Sequence, residues 1–127
     1  MTPTATGKAI WSTGTGHALL GSGHTLTSGD RLISKIESWD STKTVTMQTN
    51  GDLAYRLNGV LKWHSRTYVA GSHARITTRG QLQVVAPSGR IRWSTSHTGQ
   101  GGWFDVDSGM LFNGYTGAVL WQMPGFL

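Results

Sequence analysis

The sequence predicts an all-β domain in which strand–turn–strand units share one core. Three observations carry that expectation. The 127 residues include 18 glycines and six tryptophans but only 13% charged side chains, a mix suited to short strands and tight turns. No stretch longer than a few residues spaces its apolar groups at the helical period. A short pattern also recurs along the chain, and such self-similarity marks a repeat architecture.

The repeat is a small or polar residue, then glycine, then a tryptophan four positions after the glycine. It reads TGKAIW (6–11), NGVLKW (58–63), SGRIRW (88–93) and TGAVLW (116–121). Trp63, Trp93 and Trp121 fall about 30 residues apart, a period typical of repeat folds. Asn58-Gly59 and Ser88-Gly89 suit hairpin turns that require positive φ. Because side chains alternate along a strand, Leu61 is expected to share a face with Trp63, Ile91 with Trp93, and Val119 with Trp121. In MQTNGDLAYRLNGVLKW (47–63), Leu53, Tyr55 and Leu57 point one way and Asp52, Ala54 and Arg56 the other. A single hairpin cannot bury its own apolar face, but three around a common axis pool their tryptophans into one core. Trp39 and Trp103 fall outside the pattern.

The copy TGKAIWSTGT (6–15) is a repeat ending placed ahead of the first full repeat. The expected division is therefore residues 1–15 as an N-terminal strand and 16–127 as the domain proper. That strand completes a sheet of its own chain or is exchanged in a homodimer. The alternative is that it is the tail of an upstream domain in a longer parent.

Composition restricts the chemistry. Without cysteine there is no disulfide and no thiolate metal site. No apolar run reaches the length of a membrane span and no signal peptide is visible; localisation stays open, a secreted or cell-surface-directed role included. The net charge of +5 is unevenly distributed: from Leu53 to Phe104 there is no acidic residue, against Arg56, Lys62, Arg66, Arg75, Arg79, Arg90 and Arg92. Such a basic stretch either favours an anionic partner, such as an anionic polysaccharide, or is simply the solvated face of the strands. Nucleic acid is disfavoured, because the tryptophans recur at a structural position instead of interleaving with the arginines as a stacking platform would. His17, His24, His64, His73 and His97 show no metal-ligand spacing, and no nucleophile elbow or phosphate loop occurs. No catalytic residue, cofactor or metal is expected.

The runs LLGSGHTLTSGDRLIS (19–34), TVTMQTNGDLAYR (44–56) and NGVLKWHSRT (58–67) carry a resemblance. Their L-x-x-G-x-x-L-x-x-G-x-x-L rhythm and W-x-[ST]-x-T ending resemble the bulb-type mannose-binding lectins of monocot plants and their bacterial, bacteriocin-like relatives. The resemblance implies a type II β-prism of three four-stranded antiparallel sheets with pseudo-threefold symmetry and tryptophans stacked on the axis. It also implies a mannose pocket in each repeat, built on Q-x-D-x-N-x-V-x-Y. In the first repeat those slots hold Gln48, Asn50, Asp52, Ala54 and Arg56. Acid and amide have changed places, the valine floor is shortened to alanine and the phenol is replaced by a cation. A carboxylate beside an amide satisfies a hydroxyl that both donates and accepts, so the pocket is either a working carbohydrate site or a vestige.

The second repeat offers Thr77, Arg79, Gln81, Gln83 and Val85, with no acid, and the mannose chemistry is lost there. In the third the same slots read Asp105, Asp107, Gly109, Leu111 and Asn113. Asp105, Asp107 and Asn113 form a weaker second pocket. Paired carboxylates also suit calcium, but no further oxygen ligands lie nearby in sequence. The implied function is a non-catalytic lectin domain binding mannose or a related or acidic glycan through the first repeat. Two alternatives stand beside it: a lectin-fold protein-interaction or bacteriocin-like targeting module with its sugar sites lost, and electrostatic attachment through the arginine-rich second repeat.

Overall fold

The computed structural model describes residues 19–36, 41–96 and 99–125. The early repeat copy at 6–15, Trp39, His17 and His97 lie outside the described residues. Twelve strands follow in order: β1 (Leu19–Gly21), β2 (Thr25–Leu26), β3 (Arg31–Ile36), β4 (Ser41–Met47), β5 (Leu53–Leu57), β6 (Val60–His64), β7 (His73–Ile76), β8 (Leu82–Val85), β9 (Ile91–Ser94), β10 (Trp103–Asp105), β11 (Met110–Phe112) and β12 (Val119–Gln122). They form three four-stranded sheets: β3-β4-β5-β6, β2-β7-β8-β9 and β1-β10-β11-β12. The named strands pair antiparallel, apart from a single parallel bridge at Ser22–Ile76. The all-β fold expected from composition and repeats, and the prism of three four-stranded sheets that the resemblance implies, are the observed architecture.

The segment 19–36 lends one strand to each sheet, which explains its six-residue leucine rhythm. Leu20, Leu26 and Leu32 each sit on a different sheet and are all buried. Each sheet then adds an equivalent inward pair: Val45–Tyr55, Ala74–Val84 and Phe104–Leu111. The three tryptophans close the core around the axis. Trp63, Trp93 and Trp121 meet edge-to-face, with ring centroids 5.2, 5.9 and 5.6 Å apart. Each such pair contributes about 0.5–1.5 kcal/mol beyond the apolar area it buries.

One strand-level expectation is corrected. Leu61, Ile91 and Val119 do not join the tryptophans inside; they are 44%, 49% and 52% exposed. The cause is a β-bulge repeated in all three sheets. Tyr55 pairs with Trp63 but Arg56 with Leu61; Val84 pairs with Trp93 but Val85 with Ile91; Leu111 pairs with Trp121 but Phe112 with Val119. Lys62, Arg92 and Leu120 are the extra residues, and one extra residue reverses the alternation that follows. The turn chemistry agrees in part with the sequence reading. Asn58 and Gly59 both adopt positive φ (50° and 83°), whereas in Ser88-Gly89 only the glycine does (92°).

Candidate functional site

The outer face of the first sheet is set by the hairpin joining β4 to β5. Thr46 pairs with Ala54 and Met47 with Leu53, and the backbone N–H of Gln48 donates to the Asp52 carbonyl at 2.9 Å. The turn between them depends on Gly51, which adopts φ 93° directly against the Val69 carbonyl, where a Cβ would overlap. The 65–72 loop is tied down over this turn: Thr67 Oγ1 donates to the Gly51 carbonyl at 2.7 Å, and the Gly71 N–H to that of Thr49 at 3.3 Å.

Within this frame three of the five expected residues come together. Arg56 Nη1 donates to Gln48 Oε1 at 3.0 Å, and Gln48 Nε2 donates to Asn50 Oδ1 at 3.2 Å. Asn50 Oδ1 also accepts the Asp52 N–H at 3.0 Å. The chain Arg56–Gln48–Asn50 is thus held in line on the half-exposed outer surface. Arg56 spends one N–H on it and keeps the rest of its donor fork for other acceptors.

The structure places the other two differently. Asp52 is only 4% exposed, and its carboxylate turns inward to β6 and the loop after it. Its Oδ1 accepts the Arg66 N–H at 2.7 Å and the Ser65 hydroxyl at 3.3 Å; its Oδ2 lies 2.6 Å from His64 Nδ1. A carboxylate so engaged organises the loop and does not present itself to a ligand. Ala54 is 1% exposed and pairs with His64. A methyl group that short lies beneath its neighbours and gives a ligand no floor. His64, Arg66 and Tyr68 were not singled out as a group by sequence reasoning. The phenol of Tyr68 is exposed, 3.5 Å from His64 Nδ1. The signal for His64 was available: it follows Trp63 and is therefore the outward residue opposite the shortened floor position.

On the second sheet, Arg75 donates through Nε and Nη2 to Gln83 Oε1 at 3.1 and 2.9 Å. Gln83 is buried, Val85 is buried, and Thr77 Oγ1 caps its own turn by accepting the N–H groups of Arg79 and Gln81. Arg79 is exposed. Burial, and then the neighbouring Arg75 charge, hold the His73 imidazole below its ordinary pKa.

The third sheet corrects the sequence alignment. Met123 N–H donates to the Gly109 carbonyl just as Ser65 does to Leu53 and Thr95 to Leu82. Gly109 therefore takes the place of Leu53. Between the equivalent pairs Thr46–Ala54 and Asp105–Met110, the first hairpin has residues 47–53 and this one only 106–109. By register, Asp107 stands where Gln48 does, Met110 where Ala54 does and Phe112 where Arg56 does. Leu111, read as an outward slot, is fully buried. The weaker pocket does not assemble. Asp105 accepts the Asp107 N–H at 2.9 Å and the Ser108 hydroxyl at 3.3 Å, and Asp107 Oδ1 accepts the Ser34 hydroxyl at 2.8 Å. Asn113 lies three residues beyond Met110, the partner of Asp105, roughly 10 Å along an extended strand. There its Oδ1 accepts the N–H groups of Tyr115 and Thr116. Among the described residues, no cluster of three His, Asp or Glu side chains is placed to hold a metal, and no enclosed pocket forms.

No family model and no curated protein sequence matches the chain. Solved structures do match it. A monomeric monocot mannose-binding lectin from Gastrodia elata superposes with a TM-score of 0.68 at 17% identity, over 81% of this chain and 93% of that one. The mannose-specific bulb lectin of bluebell, Scilla campanulata, gives 0.60 at 20%, over 68% and 79%. The mannose-specific agglutinin of snowdrop, Galanthus nivalis, complexed with methyl α-D-mannoside, gives 0.57 at 23%, over 80% and 85%. The chain resembles the bulb-type lectins and has their β-prism fold; at these identities the likeness carries the fold alone.

Proposed function

We propose that the chain is a non-catalytic, carbohydrate-binding lectin domain whose ligand lies on the outer face of the first sheet, against Gln48, Asn50 and Arg56. The observation that carries this reading is the hydrogen-bonded line Arg56–Gln48–Asn50, which orients polar side chains on a shallow, open surface. Three solved lectins of the same fold are described as mannose-binding or mannose-specific.

With Asp52 withdrawn, the face is rich in donors and short of acceptors. It therefore suits a glycan that brings its own acceptors, an acidic sugar such as a uronate ahead of plain mannose. A glycan array tests this with wild type and the pair Gln48→Ala and Arg56→Ala. Binding to acidic glycans that weakens steeply with salt and is lost in both variants is the expected result. Binding that survives both changes overturns the site assignment, and no binding to any glycan overturns the lectin reading.

A second reading, a protein-interaction or targeting module, is favoured by one observation. Leu61, Ile91 and Val119 place an exposed aliphatic side chain at the same position of all three sheets. Loss of partner binding on Leu61→Ser and Ile91→Ser, with glycan binding absent in wild type, would establish it.

A further inference from the structure

We infer that the outer face of the third sheet carries an aromatic sugar subsite, in which the C–H face of a pyranose ring lies on the Trp103 indole above Gly21. The inference rests on the carbohydrate reading above but uses a different sheet and different chemistry. Phe104 and Leu111 point into the core, so Trp103, Asp105, Met110 and Phe112 point out. Trp103 and Phe112 are cross-strand partners whose rings stack at 5.3 Å with planes 27° apart. Phe112 thus covers one face of the indole.

On the opposite side, the partner of Trp103 on β1 is Gly21, which adds no side chain of its own over the other face. Gly21 is outside the positive-φ region, so turn geometry does not require a glycine there. A Cβ at Gly21 would stand 3.4 Å from His24 Nδ1, so the imidazole borders the space above Gly21. The result is a shallow, open slot beside the indole, with the bare backbone of Gly21 as its floor and the His24 ring nitrogen at its border.

Asp105 lies two residues along β10 on the same face, roughly 7 Å from Trp103. Its oxygens hold the Asp107 N–H and the Ser108 hydroxyl, and each carboxylate oxygen has a second lone pair for a sugar hydroxyl. An aromatic surface with a few polar groups at its rim is how small ligands of mixed polarity are held. The ligand class is a pyranoside with equatorial hydroxyls, such as a β-glucoside, because its axial C–H groups form an unobstructed apolar face.

The test is a titration of the ¹⁵N-labelled full chain with methyl β-D-glucopyranoside, following the Trp103 indole N–H signal, identified by its absence in Trp103→Phe. The signal is expected to shift and saturate in wild type and equally in Arg56→Ala. Gly21→Val keeps the indole but fills the slot with a good strand former, and is expected to weaken binding by roughly tenfold or more. A glycoside response in Gly21→Val equal to wild type overturns the subsite. So does glycoside binding that moves only first-sheet signals and is lost in Arg56→Ala, although the lectin reading then stands. Absence of any glycan or glycoside binding overturns both. If Trp103→Ala converts a dimer to a monomer in sedimentation, the face is a contact between copies and the subsite is likewise overturned.

Discussion

Replacing Asp52 separates a structural carboxylate from a ligand-binding one. Asp52→Ala removes the acceptor of the Arg66 N–H at 2.7 Å, in a side chain only 4% exposed. A buried donor left without a partner costs about 1–3 kcal/mol. The contact to His64 Nδ1 at 2.6 Å is also lost. His64 is partly open to solvent, so water takes over some of that bond, and its share is about 1 kcal/mol. The combined loss is about 3 kcal/mol, equivalent to a fall in Tm of roughly 10 °C for a domain of this size. Asp52→Asn keeps one carbonyl oxygen for Arg66 and loses the charge opposite His64, so about 1 kcal/mol is expected. Thermal unfolding followed by near-UV circular dichroism, alongside glycan binding at a temperature where both variants remain folded, measures the two effects separately. The order wild type, Asn, Ala is expected in Tm, with glycan binding retained below the transition. An Asp52→Ala variant with wild-type Tm and abolished binding would refute the reasoning, because the carboxylate would then have to face the ligand.

Two further outcomes follow from local geometry. Gly51→Ala meets both a left-handed backbone and the Val69 carbonyl, whereas at Gly59 nothing lies within 4 Å of the added Cβ. Gly59→Ala should cost only the left-handed penalty of about 1 kcal/mol and Gly51→Ala at least twice that; equal urea midpoints would contradict the packing described for the 65–72 loop. His73 has a folded-state pKa below the ordinary 6.5, through burial first and Arg75 second. Its neutral form is favoured by folding, so its contribution to stability is complete above pH 6.5 and is lost as pH falls from there towards the folded-state value. His73→Gln should therefore lose less stability than wild type on acidification, and a stability difference that stays constant between pH 7.5 and 5 would contradict this.

The inward half of the molecule was legible because a strand core repeats what it buries. Leu20, Leu26 and Leu32 recur every six residues because the leading segment visits a new sheet each time, and Trp63, Trp93 and Trp121 recur because all three must meet on one axis. The bulge was not legible. Its extra residue is Lys62 in one sheet, Arg92 in another and Leu120 in the third, so no residue type marks it. Period-two reasoning consequently carried Leu61, Ile91 and Val119 to the wrong face.

The outer faces failed in a more instructive way. Slot counting along the sequence assumes turns of equal length, and the third connection, residues 106–109 against 47–53 in the first, breaks that assumption. A three-residue shortening shifts an alternating pattern by an odd number, which turns Leu111 inward and Phe112 outward. Asp52 departs from the alternation for another reason: the sequence assigns it to an outward slot, but its carboxylate is held by a backbone N–H and a histidine contributed by the loop beyond and the strand opposite. The polar side chains of the three sheets are engaged differently: the Asp52 carboxylate is held by β6 and the loop after it in the first, Arg75 pairs with Gln83 in the second, and the third has a shorter turn. The core couples the three sheets and keeps them alike. The outer faces share no such requirement: of the hydrogen bonds described there, the links from Ser34 and Lys43 of the first sheet to Asp107 cross between sheets, whereas Arg56–Gln48–Asn50 and Arg75–Gln83 lie within one sheet each, so the chemistry of one face does not predict that of the next.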